Sequence, residues 1–238
     1  MPPPPQHKGT ARRKPGHHRA RLRFERLPGV YCHPERIASL LPEGLPIGFR
    51  DRLIGSKRLR VRLSALLARR FRLAPCCAGD LDTPEGRLAQ LEGEPLQNAI
   101  QQAGAIWHAK TIRKIILSEQ LRRLIELLGR DNHRAALRFI DLAADDDGTR
   151  GPFGGDDQPP LDVEKLLGRI ERDGLVAVNA WCRHQPASIA GRLKLKLPPC
   201  PEADGDLSAD HEELGLRIVD RVVMTLAEAP PNAVHGHG

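Results

Sequence analysis

Ten histidines, five cysteines and a run of aspartates are the side chains with the most reactive chemistry in this chain of 238 residues. Catalytic zinc wants ligands at regular spacing, such as two His at i and i+4 of a helix beside a carboxylate. His17 and His18 are adjacent, and His235 and His237 lie in a Gly-rich tail, so neither pair has that geometry. Asp145, Asp146 and Asp147 are consecutive and lack the alternating oxygen ligands of a calcium loop, so they read as a solvated acidic stretch. Cys182 and His184 are two apart on an expected helix, where side chains point away from each other. No GxSxG occurs, and Gly151 to Gly155 (GPFGG) has no Lys-Ser/Thr ending to make a phosphate loop. The sequence therefore offers no constellation for catalysis, and neither a cofactor nor a metal is expected.

The charge pattern points to docking. Residues 1–26 carry eight Lys or Arg against Glu25, and residues 50–73 carry nine against Asp51. The chain as a whole is +7, so the remainder sums to −8. A basic N-terminal third joined to an acidic body favours an acidic partner, an anionic membrane or nucleic acid. The segment ARRKPGHHRARLR would bind phosphates without reading sequence. Only Phe24 interleaves with its cations, so stacking on bases has no support. A solubilising tail accounts for the same composition.

The elements that must position these groups are helical. Apolar residues make up 40% and aromatics 3%, so Leu, Ile, Val and Ala fill the interior. Leu117, Leu121, Leu124, Ile125 and Leu128 share one helical face, with Arg122, Arg123 and Glu126 between them. Ser118 is placed to cap that helix, Gly129 to end it, and Asp131 to cap a second one. Thr83-Pro84 is a helix start. Glu94 to Ala109, Leu161 to Gln185 and a helix capped by Ser208 follow the same period. Residues 50–72 read as a helix whose first turns Gly55 weakens or breaks, with Leu63, Leu66 and Leu67 on its inner side. Gly174 marks a break or a close helix crossing. Arg192 to Leu197 (RLKLKL) alternates and is the one expected strand. The expected fold is mainly α, a single irregular helical domain with at most one short β element. A disordered Pro/Arg/His-rich arm is expected over 1–28, a body over 29–228 with a mobile acidic loop at about 145–160, and a flexible tail over 229–238.

Three blocks carry a family resemblance. Gly104, Ala105 and Trp107 precede Arg113, Ile116 and Leu117 (RxxIL), and Leu121, Leu124, Leu128, Gly129, Ala136 and Leu137 follow. Upstream stand His33, Pro34, Arg36, Leu40, Leu41 and Pro42. Downstream stand Asp173, Gly174, Leu175, Ala180, Trp181, Cys182, Pro186, Arg192, Leu193, Leu195, Leu197 and Pro198. In order and spacing, from about Tyr31 to Leu226, these resemble the SctK family (YscK-like, NolU-like) of bacterial type III secretion. The arm and the acidic loop depart from that pattern.

The resemblance implies a non-catalytic cytoplasmic adaptor of the sorting platform. Such a protein links the cytoplasmic domain of the inner-membrane ring protein SctD to the pod subunit SctQ, which connects through SctL to the export ATPase. Candidate partner contacts are Arg113, Lys114, Arg122 and Arg123, with Trp107 and Trp181 as core anchors or interface hot spots. Five cysteines in no regular framework point to a reducing compartment. The first residues lack the apolar core of a secretory signal, and no run approaches the ~20 apolar residues of a membrane span. A cytoplasmic protein, held at the inner membrane through the secretion apparatus, is expected. The competing class is a basic regulator that binds duplex DNA through residues 1–72.

Overall fold

The computed structural model of the chain describes residues 15–42, 44–77, 79–144, 162–201 and 207–228. Among them there are helices and no strand. The architecture is built around two helices, Glu94–Trp107 (α7) and Val163–Arg183 (α11), which cross with their backbones in contact. Glycine makes the crossing possible. A Cβ on Gly104 would fall 1.8 Å from the Ile170 carbonyl oxygen, and one on Gly174 would fall 2.2 Å from that of Ile100. Gly174 is thus a close crossing and not a break. Asp162 starts α11, its carboxylate accepting from the Lys165 N–H at 3.2 Å.

The other helices fill in around this cross. The N-terminal set is Pro15–Arg26 (α1), Pro28–Tyr31 (α2), Pro34–Ala38 (α3), Ile47–Gly55 (α4) and Arg60–Arg70 (α5). Pro84–Gln90 (α6) precedes α7; its first turn is capped by Thr83, whose hydroxyl accepts from the Gly86 N–H at 3.0 Å. Ala109–Arg113 (α8), Ser118–Leu128 (α9) and Arg130–Arg138 (α10) follow α7. Ala187–Lys196 (α12) and Ala209–Glu228 (α13) complete the described chain. Three large apolar clusters result, with a small fourth around Val176 and Cys200. The largest joins α6, α7, α11, α12 and α13 through Leu88, Ile100, Trp181, Leu193 and Val222. The second holds α8, α9 and α10 against the first half of α11 through Ile112, Leu124, Ala136 and Ile170. The third seats α5 on α2, α3 and α12 through Leu63, Leu67, Cys32, Ile37 and Leu195.

Several expectations are corrected. Arg192–Leu197 is not a strand: residues up to Lys196 belong to helix α12. Its leucines alternate because α12 is covered on more than one side, Leu193 entering the first cluster and Leu195 the third. Of the expected arm, residues 1–14 lie outside the described residues. From Pro15 it forms α1, and Phe24 packs into the first cluster, so the packed body starts before residue 29. The expected helix over 50–72 is two helices, α4 and α5, and of the two alternatives at Gly55 the break is the one observed. Ser118 and Asp131 do not cap their helices, because they already lie inside the first turns; Leu117 and Gly129 occupy the cap positions. Gly129 has φ +87°, a conformation open to glycine, and turns α9 into α10. The acidic loop at 145–160 and the tail at 229–238 lie outside the described residues.

Candidate docking surfaces

Trp107, Trp181, Cys182 and His184, which the sequence singles out, are taken up by packing or pairing. Trp181 is fully buried, and its Nε1–H donates to Asp220 at 2.8 Å, tying α11 to α13. Trp107 is buried at the end of α7, its ring 5.7 Å from that of His211. Neither indole is on a surface. Cys182 is buried, and burial pushes its thiol up to about 12. A reactive cysteine needs the opposite shift. His184 instead pairs with Glu212 at 3.0 Å. His108 Nε2 lies 2.7 Å from Asp173 Oδ2 and joins the α7–α8 corner to α11. Burial alone would raise the Asp173 carboxyl; the hydrogen bond and charge of His108, helped by Arg172, outweigh it and hold that carboxyl below its usual value. Among the described residues no three His, Cys, Asp or Glu gather as metal ligands, and no helix is long and apolar enough to cross a membrane.

Sequence reasoning missed two buried cations on α12. Arg192 donates to the carbonyls of Ala74 at 2.6 Å, Ser188 at 2.9 Å and Glu25 at 3.3 Å. Lys196 donates to those of Ala89 and Leu91, both at 2.7 Å, and its ammonium lies 4.9 Å from the ring centroids of both Phe24 and Tyr31. The two rings stack at 5.5 Å. Burial drives the Lys196 pKa down to about 7. These cations pin α1 and α2 to the body and satisfy carbonyls at the end of α6. The only signal in the sequence was the pair of cations inside an apolar alternation, which reads as solvent-facing.

Two exposed surfaces combine apolar and basic side chains. The first surface runs from α8 to α10. Arg113 and Lys114 are exposed at the end of α8, and Ile116 (82% exposed) and Leu117 (58%) stand out in the connection to α9. Leu127 and Leu137 add to it. Arg122 and Arg123 are exposed, but each has a carboxylate: Glu126 at 3.9 Å and Glu164 at 3.1 Å. The second surface is the outward side of α5. Val61 (67% exposed) and Leu66 (55%) lie among exposed Arg58, Arg62, Arg69 and Arg70. Leu66 was expected inside. It sits at the edge of the Leu63–Leu67 stripe and turns outward.

The comparisons agree with the resemblance. The family model for YOP proteins translocation protein K (YscK) matches residues 20–215. Nodulation protein NolU of Rhizobium fredii and NolU of Sinorhizobium fredii are each 31% identical over 184 residues, covering 73% of this chain and 76% of the relative. No solved structure matches the chain. The matched span takes in α2 to α12, including the glycine crossing and both exposed surfaces, and so the chain belongs to the YscK family.

Proposed function

We propose that this chain is a non-catalytic cytoplasmic adaptor of a type III secretion sorting platform, linking an SctQ-like pod subunit to an SctD-like ring protein. Membership of the YscK family gives it a role in type III secretion. The finer reading is supported by one structural observation above others. Two exposed apolar-basic surfaces rest on different core clusters, α8–α10 on the second and α5 on the third. A rigid body with two separate docking faces is what a bridging subunit needs. Its mechanism is bivalent docking, with no cofactor and no small-molecule substrate.

The test is capture. A tagged full-length chain, incubated with lysate containing the secretion components, is expected to retain both the pod subunit and the cytoplasmic domain of the ring protein. Retention of neither by a folded sample contradicts the adaptor. The arginines of α5 are what the alternative, a nucleic-acid-associated regulator, would also use. That alternative requires duplex binding that weakens steeply with salt.

A further inference from the structure

We infer that the outward face of α5 is the seat for an acidic amphipathic helix of a partner protein. This rests on the docking reading above and deepens it, by assigning one surface and the chemistry of what covers it.

The charge of α5 calls for an acidic occupant. Elsewhere several surface cations are paired, Arg23 with Glu92, Arg123 with Glu164, Arg134 with Asp131 and Lys165 with Asp162, and those without a carboxylate among the described residues, such as Arg113, Arg169 and Arg217, are spread over different helices. None of Arg58, Arg62, Arg69 and Arg70 has a carboxylate partner among the described residues. Helix α5 contains no Asp or Glu, and from Gly44 to Cys77 Asp51 is the sole carboxylate. Four guanidiniums on and beside eleven helical residues repel each other, and carboxylates from outside would relieve that. Arginine presents a planar fork that takes a carboxylate through two hydrogen bonds.

The order of the side chains on α5 favours a helix over a bilayer or nucleic acid. Val61 and Ala65 are four apart and form one edge of the outward face; Leu66 lies towards the other edge, in the row of Arg62 and Arg70. Arg62 and Arg69, seven apart, run between the edges. Apolar and cationic groups therefore interleave. A bilayer surface wants them segregated, with an apolar face free to sink in. Here that face is already occupied: Leu63, Ser64 and Leu67 are buried, and the Gly29 N–H of α2 donates to the Ser64 hydroxyl at 3.0 Å. Nucleic acid would use the arginines but not Val61 or Leu66, and α5 has no aromatic for a base to stack on. A helix carrying carboxylates and leucines in neighbouring i, i+4 rows matches both halves of the face. Small Ala65 lets such a helix come close, ridge into groove.

The probe is a labelled helical peptide with Glu and Leu in alternating i, i+4 rows, titrated against the full chain by fluorescence anisotropy. Arg62→Glu with Arg69→Glu removes the charge match. Val61→Ser with Leu66→Ser keeps every charge and removes the apolar match. Each double variant is expected to weaken binding by about tenfold or more, with unchanged circular dichroism. The Gln version of the peptide is expected not to bind. Unchanged affinity in the Val61/Leu66 variant, or binding of anionic vesicles or short duplex DNA as tight as that of the peptide, overturns the inference and leaves a plain polycation. The capture assay separates this from the adaptor reading. No peptide binding, with both secretion components still retained by the Arg62/Arg69 variant, sinks the α5 assignment alone.

Discussion

The α7–α11 crossing and the outward face of α5 use their side chains in opposite ways. At the crossing, Gly104 and Gly174 let one backbone rest on another, and no atom could be added without displacing a carbonyl. On α5, Val61 and Leu66 project into solvent between arginines that no carboxylate of the described chain neutralises. The first region is complete within the molecule. The second has groups whose interactions are finished only by something else. Side chains at the crossing thus determine whether the chain folds, and those on α5 determine what the folded chain meets.

Substitutions should follow that scale. The largest effect is expected from Gly104→Val, whose side chain would collide with the Ile170 carbonyl on a helix that cannot retreat. Its cost lies at or beyond the top of the range of about 1–3 kcal/mol usual for overpacking, a large part of a domain's stability. A cooperative melt at the wild-type temperature would contradict the crossing. Trp181→Ala follows, at about 3–5 kcal/mol in chemical denaturation, since the fully buried ring links α11 to α13. Trp181→Phe keeps most of the packing and loses the bond to Asp220, at about 1 kcal/mol.

Lys196 lies between these extremes, internal but ionisable. Its pKa falls from the usual 10.5 to about 7 on folding, through burial. Between those values the unfolded chain binds more protons than the folded one, so stability rises with pH. Cys32 and Cys182, raised from 9 to about 12, act in the reverse sense above pH 9, because only the unfolded thiols ionise there. The readable window is pH 7 to 9. Across it, wild type should gain about 1–2 kcal/mol relative to Lys196→Met. A stability difference that does not change with pH would show that Lys196 titrates outside this window. The smallest effect belongs to α5. Arg62→Glu with Arg69→Glu should leave the melting midpoint nearly unchanged, within about 0.5 kcal/mol, because no internal pair is lost. Arg123→Glu, which breaks the pair with Glu164, should cost at most about 1 kcal/mol. A large loss on α5 would mean that its arginines are internal supports and not a surface.

The same contrast explains what could be read from sequence. Helices with one buried stripe were legible, as in α7, α11 and α13, and so was the Thr83-Pro84 start; Gly174 was legible only as a break or a close crossing, and the structure decides between them. Helix α12 was not, because cores on two sides give it an apolar alternation that imitates a strand. Phe24 was hidden in a run of cations, and only the tertiary pocket beside Tyr31, Arg192 and Lys196 draws it inside. Of the nominated contact residues, Arg113, Lys114, Arg122 and Arg123 are exposed, whereas Trp107 and Trp181 are buried. The period of a helix tells which residues share a side. It does not tell whether a neighbouring carboxylate has already taken up an arginine, and that separates α9 from α5.

The most direct test of the account is reconstitution from purified parts. The full chain, an SctQ-like pod subunit and the cytoplasmic domain of an SctD-like ring protein are mixed, and the masses of the resulting species are measured by light scattering. The account predicts a three-component complex that forms only when this chain is present. A folded chain that elutes alone, or a pod–ring complex that forms equally well without it, would contradict the account.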